Sequence, residues 1–456
     1  MTTSAGVFPQ GFLWGTATSA YQIEGAVAAG GRGPSIWDSF SHTPGKIHND
    51  ENGDQAVDHY HRLGDDVDLM QEIGTNAYRF SISWSRLLPS GTGEVNKAGV
   101  DFYRDLVGRL RKAGVTPAAT LYHWDLPQAL QDRGGWLSPD SPAWFEEYAA
   151  VAKSELGDLI NFWSTLNEPW CSAFLGHSSG EHAPGMRDAG SSYVAAHHLM
   201  LAHHRAIRVM RDTKPHPDDR LGIVLNLIPA WPASESAEDE TAAAAVDTVQ
   251  STLFTEAVVH GRYPELILDY HRKLGVADRI DPDTLAAVRA DSDYLGVNYY
   301  NVNRVRYREG AAATDCWPGT DGSVPLPPPG PLTDMGWGVE PAGLSWMLLR
   351  MANEYPTLPM YVCENGAAYP DTVAPDGSID DPMRIAYLES HTAAVAKAIA
   401  GGADVRGYFV WSLLDNFEWA RGYRMRFGLV RVDPDTMERT IKASGYWYRD
   451  FISEHT

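Results

Sequence analysis

Two glutamates, Glu168 and Glu364, stand 196 positions apart, each closing an apolar run and each trailed by a chain-breaking residue. Glu168 ends the run in Ser164–Trp170 (STLNEPW), with Pro169 directly behind it; Glu364 ends the run in Met360–Gly366 (MYVCENG). Pro169 is expected to hold Glu168 extended and to bar a helix from continuing through it. Gly366 is expected to let the chain turn sharply just past Glu364. Two carboxylates held at strand ends on one side of a barrel are what acid/base cleavage of a glycosidic bond requires.

Such a pair needs a frame. Eight apolar runs read as strands: Phe12–Ala17, Ala77–Ser81, Pro117–His123, Ile160–Asn167, Leu221–Leu227, Tyr294–Tyr300, Met360–Glu364 and Gly407–Leu413. Most are nearly continuous in apolar residues, as parallel strands covered on both faces are. Amphipathic patterns lie between them. Val57, Tyr60, Leu63, Val67, Met70 and Ile73 recur at helical spacing before Gly74, and Val100, Tyr103, Leu106, Val107 and Leu110 do so before Gly114. Phe145, Tyr148 and Val151, then Leu199, Ala202, Ala206 and Val209, repeat the pattern. Eight strands alternating with helices predict a single α/β domain over residues 1–456, a (β/α)8 TIM barrel with elaborated loops at the carboxyl ends of its strands. The stretch Val324–Pro331 (VPLPPPGP) reads as a stiff, extended excursion after the sixth strand.

Barrel enzymes place catalysts where their strands end. Here the first strand leads to Gln22, the second supplies Arg79, and the third supplies His123 and Trp124. The fourth gives Asn167 and Glu168, the sixth Asn298 and Tyr300, and the seventh Glu364. The eighth runs into WSLLDNFEW, with Trp411, Glu418 and Trp419. Singly each has a structural explanation, since a glutamate before proline often caps a turn and a tryptophan often fills a core. Together they are hard to explain as packing, because buried carboxylates without partners are costly.

The formal charge of −22 argues against nucleic acid or an anionic membrane as partner. Cys171, Cys316 and Cys363 are too few and scattered for a disulfide framework or a paired-cysteine metal site, and they fit a reducing compartment. His197, His198, His203 and His204 form an HHxxxxHH cluster whose spacing lacks a metal-binding acid, so packing is its expected role. No signal-like segment or membrane-length apolar stretch is seen, and a cytoplasmic location is expected.

The chain resembles the family 1 glycoside hydrolases, the β-glucosidase family, over essentially its whole length. The resemblance rests on Gly11–Ala26 (GFLWGTATSAYQIEGA), Thr120–Leu130 (TLYHWDLPQAL), TLNEPW, Gly180–Gly185 (GEHAPG), GVNYY, Thr333–Trp337 (TDMGW), the ENG around Glu364, LLDNFEW and Arg426–Val430 (RFGLV). It implies that Glu168 is the general acid/base and Glu364 the nucleophile, with Arg79, Asn298 and Tyr300 in support. It also implies that Gln22, His123, Asn167, Glu418 and Trp419 bind hydroxyls of the terminal sugar and that Trp411 stacks on it. Trp124 and Phe427 join the substrate-binding set, and Trp337 is the platform for the leaving group. Glu418 is expected to act as a carboxylate, which suits an uncharged sugar and would repel a phosphorylated one. Arg79 and Tyr300 should favour an ionised Glu364, whose charge would keep Glu168 protonated. Retaining enzymes of this type hold the two carboxyls roughly 5–5.5 Å apart.

Two positions depart from the family pattern. Cys363 stands where threonine is usual, and strand alternation predicts that it points away from Glu364 towards the helices. GWGVEP at Gly336–Pro341 differs from the usual GWEV, which bears on the leaving-group rim. The activity implied is retaining hydrolysis of β-D-glucosides and cellobiose-like oligosaccharides, with no cofactor and no metal. A β-galactosidase, β-fucosidase or transglycosylase would use the same site; a non-catalytic sugar-binding barrel and a metal-dependent hydrolase are the readings from other classes. The partners expected are small β-glycosides and oligosaccharides, with a homo-oligomer left open.

Overall fold

The computed structural model describes residues 8–456. Eight strands close a parallel ring: β1 (Leu13–Ala17), β2 (Ala77–Ser81), β3 (Thr116–Tyr122), β4 (Phe162–Asn167), β5 (Arg220–Asn226), β6 (Tyr294–Asn298), β7 (Met360–Asn365) and β8 (Val405–Trp411). Closure comes from β8 returning to β1, with Leu13 opposite Gly407 and Ala17 opposite Trp411. The expected strands are all present, with ends moved by a residue or two.

A helix follows each strand and covers the outside of the ring. In order, such covering helices include Leu63–Ile73, Lys97–Lys112, Ser141–Leu156, Ala189–Asp212, Leu253–His260, Pro341–Glu354, Pro382–Ala400 and Ala443–His455. Local sequence explains their limits. Gly74 takes a left-handed conformation at φ 75° and stops the first. In the second, Val100, Tyr103, Leu106, Val107 and Leu110 face the barrel, while Arg109, Arg111 and Lys112 crowd the last turn, where cations suit the helix dipole. Val57 and Tyr60 continue the apolar rhythm of the first helix but lie in the turn before it, which begins only at Leu63. Part of the proline-rich excursion is a strand, Ser323–Leu326, antiparallel to Asn303–Tyr307 at the barrel mouth.

The barrel interior is filled asymmetrically. Ala17, Ala77 and Ala118 on β1–β3 face Phe162, Tyr294, Tyr361 and Phe409 from β4, β6, β7 and β8. Phe162, Tyr294 and Tyr361 pack mutually, with ring centroids 4.8–5.3 Å apart. This plug supports whatever stands on the strand ends above it. The histidine cluster lies buried on Ala189–Asp212, bonded to carbonyls and hydroxyls; His203 Nδ1 meets Thr165 Oγ1 of β4 at 2.8 Å. Among the described residues, no helix is long and apolar enough to cross a membrane.

Candidate active site

Both glutamate-bearing strands break register just before their acid. On β4, Ser164 lies opposite Gly222 but Asn167 lies opposite Val224, so one extra residue is accommodated between them. Phe162 and Ser164 face inward; Thr165 and Leu166 then pack towards the helices, and Asn167 turns back inside. On β7, Val362 lies opposite Val297 but Glu364 lies opposite Asn298, again with an extra residue. Bulges of this kind re-aim a side chain beside an active site. Cys363 therefore does not point to the helices. It sits inside the barrel with Tyr361 and Phe409, and its neighbour Glu364 also reaches inward to Arg79.

The chain leaves β4 differently from expectation. Glu168 is not extended but holds φ 45°, and Trp170 is already helical, leading into the wide helix Cys171–Ser179. Proline disfavours the right-handed region for the residue before it and ordinarily leaves it extended; here the packing of the strand end selects a positive φ instead. Pro169 starts the helical segment rather than barring one, since the first helical position needs no N–H. Trp124 and Trp419 share this backbone type at φ 78° and 48°. Such left-handed non-glycine residues cost roughly 1–3 kcal/mol each and gather where a site over-determines them. Gly366 serves a close approach rather than a sharp turn: a Cβ there would lie 1.9 Å from the Trp411 carbonyl oxygen of β8.

One hydrogen-bonded chain joins the acids. Arg79, buried in the barrel, donates through Nη1 to Glu364 Oε1 at 2.6 Å and through Nη2 to Asn167 Oδ1 at 2.6 Å. Tyr300 donates to Glu364 Oε2 at 2.7 Å. Asn298 Nδ2 donates to Asn167 Oδ1 at 3.1 Å and to Glu168 Oε1 at 2.7 Å. Glu364 is thus gripped by a permanent cation and a phenol, whereas among the described residues Glu168 meets only neutral donors, Asn298 and Cys171. Burial, then the nearby charge of Glu364, pushes Glu168 up to about 8. Burial and Glu364 also hold the Tyr300 phenol far above its ordinary range, so it remains a donor.

The same chain fixes a tautomer. An arginine only donates, so Asn167 must turn its oxygen to Arg79 and its Nδ2 to His123 Nε2, 3.1 Å away. His123 Nε2 accepts, Nδ1 therefore carries the proton, and among the described residues the buried Nδ1 has no partner. Burial, reinforced by Arg79, holds His123 well below its ordinary range, so the ring is neutral.

Above this chain opens a cavity of about 350 Å³ lined by Glu168, Glu364, His123, Trp124, Tyr300, Trp337, Trp411, Glu418, Trp419 and Phe427, among others. The sequence-selected residues thus converge, in two layers. Arg79, Asn167, Asn298 and Gln22 lie beneath the wall, each almost fully buried. Gln22 Nε2 donates to Asn416 Oδ1 at 3.0 Å and Phe417 O at 2.9 Å, and reaches Glu418 Oε2 at 3.4 Å. For Glu418, expected as a carboxylate, burial and then the charge of Glu364 push the pKa up to about 8. Trp337 packs against Tyr300 at 5.2 Å, and Trp419 against Trp124 at 4.6 Å.

Several lining residues escaped the sequence reading. Asn226 ends β5 and was open to the same strand-end rule that found Asn298. Cys171, three residues past Glu168, is in reach only because a helix starts there. His182 stands within GEHAPG, a segment that carried resemblance but no assigned role. Trp317 arrives on the long β6–β7 excursion, where no periodicity marks it.

The glycosyl hydrolase family 1 model matches residues 4–456. "Beta-glucosidase A" of Thermotoga maritima is 44% identical over 449 residues, covering 98% of each chain. The "bifunctional beta-D-glucosidase/beta-D-fucosidase" of Bifidobacterium breve is 43% identical, covering 99% of each. A solved structure of the Thermotoga maritima β-glucosidase with deoxynojirimycin superposes with a TM-score of 0.93 at 44% identity, covering 98% of each chain. A family-wide match and a barrel mouth furnished with two unlike carboxyls point the same way: the chain belongs to glycosyl hydrolase family 1 and is a glycoside hydrolase.

Proposed function

We propose that this chain is a retaining β-glucosidase acting on terminal non-reducing β-D-glucosyl units of cellobiose-like oligosaccharides and of aryl or alkyl β-glucosides. The observation that carries the reading is the unlike setting of two carboxyls on one cavity. Glu364 takes a guanidinium and a phenol as donors on its two oxygens, while Glu168, lining the same cavity, is buried with neutral donors and its pKa is pushed up to about 8. In the first step a Glu364 oxygen attacks the anomeric carbon as the glycosidic C–O bond breaks, and Glu168 gives its proton to the departing oxygen. The product is a glucosyl ester of Glu364 and a free alcohol. Esterification removes the Glu364 charge, so Glu168 becomes more acidic and now accepts a proton from water. That water attacks the anomeric carbon, the ester bond breaks, and the Glu364 carboxylate returns. Two inversions leave the configuration retained.

The supporting residues follow from their contacts. Arg79 and Tyr300 orient Glu364, and Asn298 orients Glu168. His123, which lines the cavity, is assigned to a glycone hydroxyl, and Asn167, just beneath the wall, to the 2-hydroxyl, where a contact strengthens in the transition state. Glu418, steadied by Gln22, takes further hydroxyls together with Trp419, and Trp411 and Phe427 supply apolar faces. Trp124 walls the glycone side, and Trp337 faces the leaving group. The relatives' names support glucose as the sugar.

Glu168→Ala tests the reading. With a dinitrophenyl β-glucoside, which needs no acid, the first step should survive; with an alkyl glucoside kcat/KM should fall by about 10²–10⁴-fold. Azide should then restore turnover and yield the β-glucosyl azide. The α-azide, or no adduct, would overturn the assignment. The name of the Bifidobacterium breve relative favours a second activity, on β-fucosides, and a panel of nitrophenyl β-glycosides including the galactoside would rank them.

A further inference from the structure

Behind Glu168 lies a side chain that the mechanism above leaves unused. Cys171 Sγ stands 3.1 Å from Glu168 Oε2, and among the described residues no other hydrogen bond reaches that oxygen, since Asn298 takes Oε1. The sulfur is itself addressed from the far side: Asn226 Nδ2 donates to it at 3.8 Å. With its lone pair so engaged, the thiol turns its hydrogen towards Oε2. The backbone grips the same pair, because the Cys171 N–H donates to the Glu168 carbonyl at 2.9 Å. Cys171 lines the cavity, yet it is 6% exposed and therefore fixed in this pose.

We infer that Cys171 is a positioning residue for the acid/base: it fixes the carboxyl through Oε2 with a donor weak enough to leave the proton on Glu168. This rests on the acid/base reading of Glu168 given above. A thiol is a weaker donor than a hydroxyl. A hydroxyl at 171 would stabilise the charged carboxylate more strongly and release its proton earlier, while an alkyl group would leave Oε2 without a partner. The thiol stands between these. It also stays protonated throughout, since burial, then the Glu168 and Glu364 charges, raises it well above the ordinary cysteine range.

Other groups also act on Glu168 and must stay constant in any test. They are Glu364 from β7, Arg79 from β2, Asn298 at the end of β6, Tyr300 just beyond it, and Glu418 beyond β8. Cys316, a neutral thiol with its pKa raised to about 11, faces Cys171 across the cavity. Substitution at position 171 alters none of them covalently.

The experiment is the pH profile of kcat/KM for an alkyl β-glucoside in the native protein, Cys171→Ser, Cys171→Ala and Glu168→Ala. Cys171→Ser should move the alkaline limb down by about 0.5 pH unit and Cys171→Ala should move it up by a similar amount, the scale of one modest hydrogen bond. Cys171→Ala should also lower kcat on alkyl more than on dinitrophenyl glucosides, with KM changed less than about twofold, and Cys171→Ser should recover most of that kcat. Limbs that coincide in the native protein, Ser and Ala variants, while Glu168→Ala abolishes the limb, would overturn the role of Cys171 alone. An alkaline limb that persists in Glu168→Ala would overturn the acid/base reading, and this inference with it.

Discussion

At the scale of single residues, the site is a division of charge enforced by Arg79. Its guanidinium is almost fully buried, and it pairs with Glu364 while directing Asn167. Removing one member of a buried ion pair leaves the other uncompensated, which costs about 3–5 kcal/mol. Glu364→Gln and Glu364→Ala should both lose about 10⁴-fold or more in kcat/KM, roughly 5 kcal/mol of barrier. Ala should in addition melt well below Gln, because Gln still offers Arg79 an oxygen. Calorimetry of the two variants checks this, and equal melting temperatures would contradict it. The acid has its own signature. In the proposed mechanism the first step needs the Glu168 proton, and with its pKa pushed up to about 8, kcat/KM should fall as pH rises through about 8. Stability follows the same sign. Glu168 and Glu418 hold protons up to about 8 when folded but only to about 4.5 when unfolded. The folded state thus binds more protons across that window, and its advantage shrinks as pH climbs through it. Urea midpoints should therefore fall between pH 5 and 8 more in the native protein than in a Glu168→Gln, Glu418→Gln double variant.

At the scale of elements, ring closure and two bulges do the positioning. Apolar runs and helical rhythm announced the eight strands and their order, because burial on both faces leaves a strong compositional trace. The bulges left none. Strict alternation places Cys363 outside and Glu364 inside, whereas the extra residue on β7 brings both inside. Glu168 was likewise read as extended from Pro169, since the local rule favours extended backbone before proline, a preference that tertiary packing overrides here with φ 45°. Gly366 was correctly singled out but for another physical reason. Its contact with the Trp411 carbonyl locks the end of β7 to the end of β8. Gly366→Ala must part those strand ends and should shift Glu364 relative to Trp411. Loss of kcat by at least about tenfold, together with a lower melting temperature, is expected; a variant with native kcat would show the contact to be dispensable.

At the scale of the whole molecule, a net charge of −22 accompanies a cavity for which a neutral sugar is the proposed ligand. Long-range attraction or repulsion is absent for an uncharged sugar, so KM for cellobiose should change less than about twofold between low salt and ~0.5 M salt. A steep salt dependence would instead indicate a charged substrate. The residues that meet in the cavity were legible because strand ends can be found from sequence. What remained hidden was whatever arrives by loop or by helix start, such as Trp317, Cys171 and His182. In the proposed mechanism the sugar passes through an ester with Glu364. Proton NMR of the first product formed from a nitrophenyl β-glucoside, recorded before the anomers equilibrate, tests that directly. β-Glucose appearing first is the predicted result, and α-glucose appearing first would contradict it.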